Sequence, residues 1–211
     1  SSVTGVQTCA LPISILIYDS PSLQKKAIDI FVKNEFEKPK KIKIEKTKNK
    51  KIKIGYYSSD FHNHATMYLM ANLFELHDKT KFETYAFSFG PDDGSKIRER
   101  VVKTFDKFFD VKLKTTEEIV KDSRELNLDI AIDLKGFTNN NRFDLFIERC
   151  APIQISYLGF PGTTGSDCMD YLIADKIVIP EESKIHYSEN IIYLPNSYQV
   201  NDSNPTLSKK S

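Results

Sequence analysis

Cysteine is scarce in this chain. The 211 residues hold three, Cys9, Cys150 and Cys168. An odd, widely spaced set argues against a disulfide framework and for a reducing, cytoplasmic setting. No two of them form a CxxC pair, so a structural zinc site has no ligand set. Long apolar runs are also missing. None approaches the roughly 18–20 residues a membrane helix needs, so no membrane partner is expected. Charge of one sign is not in excess: the formal net charge is +1. A whole-chain electrostatic hold on nucleic acid is therefore not expected. Neither GxGxxG nor GxxxxGK[ST] follows any apolar run, which leaves a dinucleotide fingerprint and a P-loop unsupported. There is no internal repeat.

What remains is an ordinary globular composition, 40% apolar and 28% charged, long enough for one good hydrophobic core or one and a half. The charge is uneven. The stretch KPKKIKIEKTKNKKIK, 38–53, holds nine lysines and one glutamate. It reads as a solvated linker entering a strand, with a patch for an anionic partner as the other reading. Residues 1–14, SSVTGVQTCALPIS, fit neither a signal peptide, which needs a basic and then an apolar region, nor a structural element. They read like the translation of a sequencing-library adapter joined to a coding fragment, so the chain is expected to be truncated at its N-terminus. Three regions follow: 1–14 as that artefact, 15–50 as a helix with the lysine linker, and 51–211 as one α/β lobe.

Ser20 and Pro21 offer a cap and a first helical position, with Leu23, Ala27, Ile30 and Phe31 on one face of a helix over 21–36. From residue 51 strands and helices alternate. KIKIGYYS, FETYAFSFG, KFFDVK, DIAIDLKG, PIQISYLG, MDYLIAD and NIIYLP read as strands. Between them TMYLMANLFELH, SKIRERVVKTFD, TTEEIVKDSRELNL and NRFDLFIER read as helices; the second carries Ile97, Val101, Val102 and Phe105 as its apolar stripe. This βαβ alternation predicts a doubly wound parallel sheet. In such sheets functional groups sit on loops at the carboxyl ends of the strands. SSDFHNHAT, GPDDG, KGFTNNNR and GFPGTTG all follow strands, so they should line one edge.

The densest of these loops is DFHNHAT, 60–66. Three readings stand. His62 and His64 could hold a metal, but i, i+2 spacing differs from the i, i+4 pair of helical zinc sites and a third ligand is wanting. His64 or Asp60 could cap the helix beginning near Thr66. Or the loop could bind substrate and move a proton, since histidine both donates and accepts and titrates near pH 6.5. PGTTG, 161–165, is either a tight turn or a loop that lets a sugar or phosphate come close to the backbone.

IGYYSSDFHNHAT, FETYAFSFGPDDG, DLKGFTNNNR, APIQISYLGFPGTTG, MDYLIAD and YSENIIYLPNSYQVND occur in this order. Together they resemble the N-terminal catalytic lobe of the protein O-GlcNAc transferase family, which includes the Spindly-type O-fucosyltransferases. The resemblance spans about residues 15–205. It implies a GT-B fold, with two Rossmann-like lobes around a cleft and tetratricopeptide repeats upstream. It implies inverting, metal-independent sugar transfer from a nucleotide donor to Ser or Thr of acceptor proteins, with no cofactor. The donor would be UDP-GlcNAc, or GDP-fucose in a Spindly-like enzyme. Asp60 and His64 match the family's DFxxHxT segment as catalytic candidates; Asn63 and Thr66 fall in the same loop as substrate contacts. Leu158, Gly159, Pro161 and Gly162 match the LGYPGT loop beside the sugar pocket. His62 stands where the family varies. Ala65 replaces a frequent proline, Phe137 stands where His or Tyr is usual, and Cys150 replaces a proline. A further family histidine would fall near Ile13–Ser14. The nucleotide-binding lobe is absent after residue 211, so this chain alone is expected to be inactive. A non-enzymatic α/β binding module is the rival reading.

Overall fold

The computed structural model describes residues 20–37, 39, 44 and 49–203. The first fourteen residues, the Ile13–Ser14 position, most of the lysine run and Cys9 lie outside them.

Thirteen elements are described. They run α1 Pro21–Glu35, β1 Ile52–Ser58, α2 Ala65–Glu75, β2 Phe82–Ser88, α3 Lys96–Thr104, β3 Lys107–Asp110, α4 Thr116–Glu125, β4 Ile130–Asp133, α5 Asp144–Ile147, β5 Ile153–Tyr157, β6 Tyr171–Ala174, a 3₁₀ helix Glu181–His186, and β7 Asn190–Tyr193. The seven strands form one sheet in the order β3-β2-β1-β4-β5-β6-β7. Every neighbouring pair is parallel. This is the doubly wound arrangement the strand–helix alternation predicts. The strand order reverses direction between β1 and β4. β1 therefore lies between β2 and β4, and the crevice above their carboxyl ends is the topological switch point.

Both faces of the sheet are covered. On one, Met67, Met70 and Phe74 of α2 and Ile97 and Val101 of α3 pack on Tyr56, Ala86 and Ile132. On the other, Ile28 of α1, Ile119 and Val120 of α4 and Leu145 and Phe146 of α5 pack on Tyr57, Phe87 and Ala131. Alternate residues of β1 thus face opposite layers, as strand geometry requires. Burial on both faces explains why the strands read as near-continuous apolar runs.

Three expectations shift. The inner face of α1 is set by Ile28, with Phe31 and Val32 beside it, whereas Leu23 and Ile30 are half-exposed or more. The stripe is rotated because Ile28 wedges against Gly165 and Phe31 packs edge-on to Phe137. On α3, Val102 is exposed while Ile97 and Val101 are buried, as is Phe105 just past the helix end. The helix expected over 141–149 shrinks to the single turn of α5. Asn141 is instead spent on a turn: its side chain donates to the Thr138 carbonyl and accepts from the Phe143 amide. Asparagine competes with helical bonds in this way.

Candidate functional site

β1 ends at Ser58, and the chain turns sharply into α2. The Asp60 amide donates to Ser58 Oγ at 2.9 Å, and Ser59 Oγ donates to Asp60 Oδ1 at 3.0 Å. Phe61 is fully buried and anchors the loop, and Arg98 Nη1 donates to its carbonyl at 2.8 Å. Gly90, after β2, lies so close that a Cβ there would sit 1.8 Å from the Ser59 carbonyl oxygen. These contacts fix the loop's path and turn the Asp60 side chain inward, where the residue is 5% exposed.

A carboxylate so buried needs a counter-charge. Lys135, two residues past β4, supplies it. Its Nζ donates to Asp60 Oδ1 at 2.9 Å and to Oδ2 at 2.8 Å, and Lys135 is itself 5% exposed. The turn carrying Lys135 is shaped by Asp133, whose carboxylate accepts the Lys135 amide at 2.9 Å and the Gly136 amide at 3.0 Å. Burial pushes the Asp133 carboxyl up to about 6, against the opposing pull of those amides and of Lys135. The two halves of the ion pair thus arrive from the two strands that flank the switch point.

His64 is the N-cap of α2. Its Nδ1 accepts the Thr66 amide at 3.2 Å, and Thr66 Oγ1 lies 3.1 Å from the same nitrogen. Asp60 Oδ2 stands 3.6 Å from Nδ1. The His64 side chain is 42% exposed. The capping reading of His64 therefore holds, and the cap uses Nδ1 and not Nε2. Asn63 bonds its amide to Asp93 Oδ2 at 2.8 Å and accepts from Tyr68 Oη at 2.8 Å. The His62 ring stacks edge-on to His64 with centroids 5.7 Å apart, and its Nδ1 is 3.9 Å from Asp93. Among the described residues no group of three His, Cys, Asp or Glu side chains is placed to hold a metal ion. His77 is engaged elsewhere, donating through Nδ1 to the Leu73 carbonyl and accepting from Tyr56 Oη at Nε2.

The second group of sequence candidates follows β5. Leu158 has a positive φ of 68°, and Gly159 lies against the Lys135 turn. A Cβ at Gly159 would stand 2.2 Å from the Leu134 carbonyl oxygen and 2.9 Å from that of Lys135. Leu158 and Gly159 thus abut the loop that holds Asp60. Pro161 and Gly162 face the other way: Tyr187 Oη donates to the Pro161 carbonyl at 3.3 Å, and Gly162 packs against the Phe160 ring. The following threonines are tied down by buried Glu189, which accepts from Thr163 Oγ1 at 2.8 Å, from the Thr164 amide at 2.6 Å and from the Thr164 hydroxyl.

The structure holds Asp60, His64 and Thr66 together at the turn into α2 and adds Lys135 and Glu189, which sequence reasoning did not single out. A lysine closing the apolar run DIAIDLKG was the available sign, since charge at the carboxyl end of a central strand is costly unless paired.

Comparison with known proteins gives the family. Residues 19–210 match the family model "Glycosyl transferase family 41". The chain is 38% identical over 153 residues to an Arabidopsis thaliana protein named "Probable UDP-N-acetylglucosamine--peptide N-acetylglucosaminyltransferase SEC", covering 72% of this chain and 16% of the relative. It is 32% identical over 157 residues to the Caenorhabditis elegans UDP-N-acetylglucosamine--peptide N-acetylglucosaminyltransferase, covering 72% and 13%. In structure it resembles a Thermobaculum terrenum O-GlcNAc transferase mutant with a TM-score of 0.81 at 24% identity, over 91% of this chain and 38% of that one. That likeness places the sheet among Rossmann-like lobes of GT-B type. The chain spans a small part of the length of the curated relatives it matches. With residues 19–210 matched by its model, the chain belongs to glycosyl transferase family 41.

Proposed function

We propose that residues 51–203 form the acceptor-side lobe of an inverting protein O-glycosyltransferase, acting with a second, nucleotide-binding lobe that these 211 residues do not include. The transferred sugar is N-acetylglucosamine from UDP-GlcNAc, and the acceptors are Ser and Thr hydroxyls of proteins. The observation that carries this is the placement of Asp60 and His64 at the β1/β4 switch point of a family 41 sheet, with the His64 side chain 42% exposed.

Inverting transfer asks for in-line attack of a hydroxyl on the anomeric carbon, a destination for its proton, and stabilisation of the departing diphosphate. His64 Nε2 is the polar atom of this loop best placed to touch the acceptor or the sugar. Asp60, held by Lys135, supplies a fixed negative charge behind the ring. Leu158 and Gly159 brace the same wall. The diphosphate would be met by the second lobe. No step here calls on a metal or a cofactor.

The test is a longer gene product containing this lobe, incubated with UDP-GlcNAc and a Ser/Thr peptide and read by mass spectrometry. Addition of one N-acetylhexosamine per modified hydroxyl is expected, with none from the 211-residue chain alone. Transfer from GDP-fucose instead would reassign the sugar. Failure with both donors would return the lobe to a non-enzymatic binding module. In the active protein His64→Ala should lower kcat/KM about 100-fold or more. A fall of less than about threefold would leave His64 as a helix cap alone.

A further inference from the structure

Two demands meet on one nitrogen. The Thr66 backbone N–H can only donate, so its 3.2 Å bond makes His64 Nδ1 an acceptor. A neutral imidazole accepting at one nitrogen carries its hydrogen on the other. Yet the Asp60 carboxylate lies 3.6 Å from the same Nδ1, and a carboxylate at that distance draws a proton onto the nitrogen facing it. The cap and the carboxylate therefore ask for opposite tautomers. The cap prevails if the carboxylate's charge is already answered, and Lys135 Nζ touches both Asp60 oxygens within 2.9 Å.

We propose that Lys135 is a positioning residue that sets the tautomer of His64: by occupying Asp60 it keeps Nδ1 free to cap α2, so that His64 presents Nε2–H, a hydrogen-bond donor, to whatever enters the switch-point crevice. The substrate group this favours is an acceptor oxygen, such as a sugar hydroxyl or amide carbonyl. Lys135 itself is buried and meets no substrate; it acts through Asp60 and then through His64. The proposal rests on the reading of this loop as a sugar-transfer site only for the identity of that substrate group. The tautomer itself can be measured with no substrate present.

The experiment is long-range ¹⁵N–¹H correlation of the histidine rings in the 211-residue chain, with hydrogen exchange of the Thr66 amide. The wild type should show a pyridine-like Nδ1 and a protonated Nε2 for neutral His64. Lys135→Met should move the proton to Nδ1, facing Asp60, and speed Thr66 amide exchange about fivefold as the cap is lost. Lys135→Gln, which keeps a donor for Asp60 without the charge, should do the same. Lys135→Arg should retain the wild-type signature. A wild-type ring already protonated at Nδ1 overturns the proposal, even if every variant fails to fold. A Lys135→Gln variant that keeps the wild-type tautomer overturns it too. The transferase reading could survive either result, and its own failure in the activity assay would leave this one standing.

Discussion

Asp60 keeps its charge out of water and relies on Lys135 for compensation, so the pair is worth more broken than whole as a probe. Removing one partner of a buried ion pair leaves an unanswered charge, at a cost of about 3–5 kcal/mol. Lys135→Met should therefore lose about that much stability in urea unfolding, while Asp60→Asn combined with Lys135→Met should recover most of it. Asp133 makes a separate case. Its carboxyl is pushed up to about 6 by burial, from an ordinary value of 3.8, so the folded state holds its proton more tightly than the unfolded one. Stability from this residue is then greatest below pH 4, declines as pH rises through 6, and is flat above. A shift of about 2 units corresponds to about 3 kcal/mol across that window. The difference in unfolding free energy between wild type and Asp133→Asn, followed from pH 4 to pH 7, should show this downward slope for the wild type. A flat difference would mean the turn's amides outweigh burial.

At the scale of the elements, the question is how a helix cap and the proposed catalytic group share one histidine. Substitution separates them. His64→Ala should cost α2 about 1 kcal/mol through loss of the cap. His64→Asn, with a side chain that caps well, should return that stability without returning transfer in the longer protein. If His64→Asn restores transfer, the ring has no chemical role. Two glycines fix the loop spacing around it. A methyl at Gly159 would press on the Leu134 carbonyl and one at Gly90 on that of Ser59, and neither backbone can yield cheaply. Gly159→Ala and Gly90→Ala should each lower stability by about 1–3 kcal/mol or more, seen as a lower thermal midpoint. Much of this level was legible in advance. The strands announced themselves as apolar runs because the sheet is buried on both faces, and the DFHNHAT loop was legible because its aspartate, histidines and threonine crowd into one short stretch after a strand. Lys135 was not, because its partner lies 75 residues away and nothing in DLKG states which loop it will meet. The 3₁₀ helix Glu181–His186 went unread because EESKIH has no apolar period. The inner face of α1 was read one step off because Leu23 and Ile30 are apolar without being buried.

Across the whole molecule, the chain doubles back after β7. The Tyr198 amide donates to Asp175 Oδ2 at 2.8 Å and Tyr157 Oη donates to the Tyr198 carbonyl at 2.8 Å. Val200 packs against the α2–α3 layer, and Asp202 meets Arg100, which also holds Glu75 with Nε 2.7 Å from Oε1. This strap ties the last described residues to α2 and α3. Arg100→Ala should raise hydrogen exchange over 198–203 and leave the β1–β4 amides unchanged; protection unaltered at 198–203 would show that Tyr198 and Val200 suffice. The arrangement of α/β layers followed from periodicity alone, whereas the strap's route did not, since it depends on polar contacts between residues distant in sequence.

The strand order has a consequence in time. β1 leaves the ribosome with one future neighbour, β2, following closely, but its other neighbour, β4, comes much later. The 75 residues between Asp60 and Lys135 take about 4–15 s to synthesise at bacterial or eukaryotic rates. Through that interval one edge of the central strand is open and Asp60 must stay hydrated, without its cation. The crevice is thus finished only when the second half of the sheet docks on the first, and any slowing of translation between the two strands lengthens the period in which a half-built sheet can pair with the wrong chain.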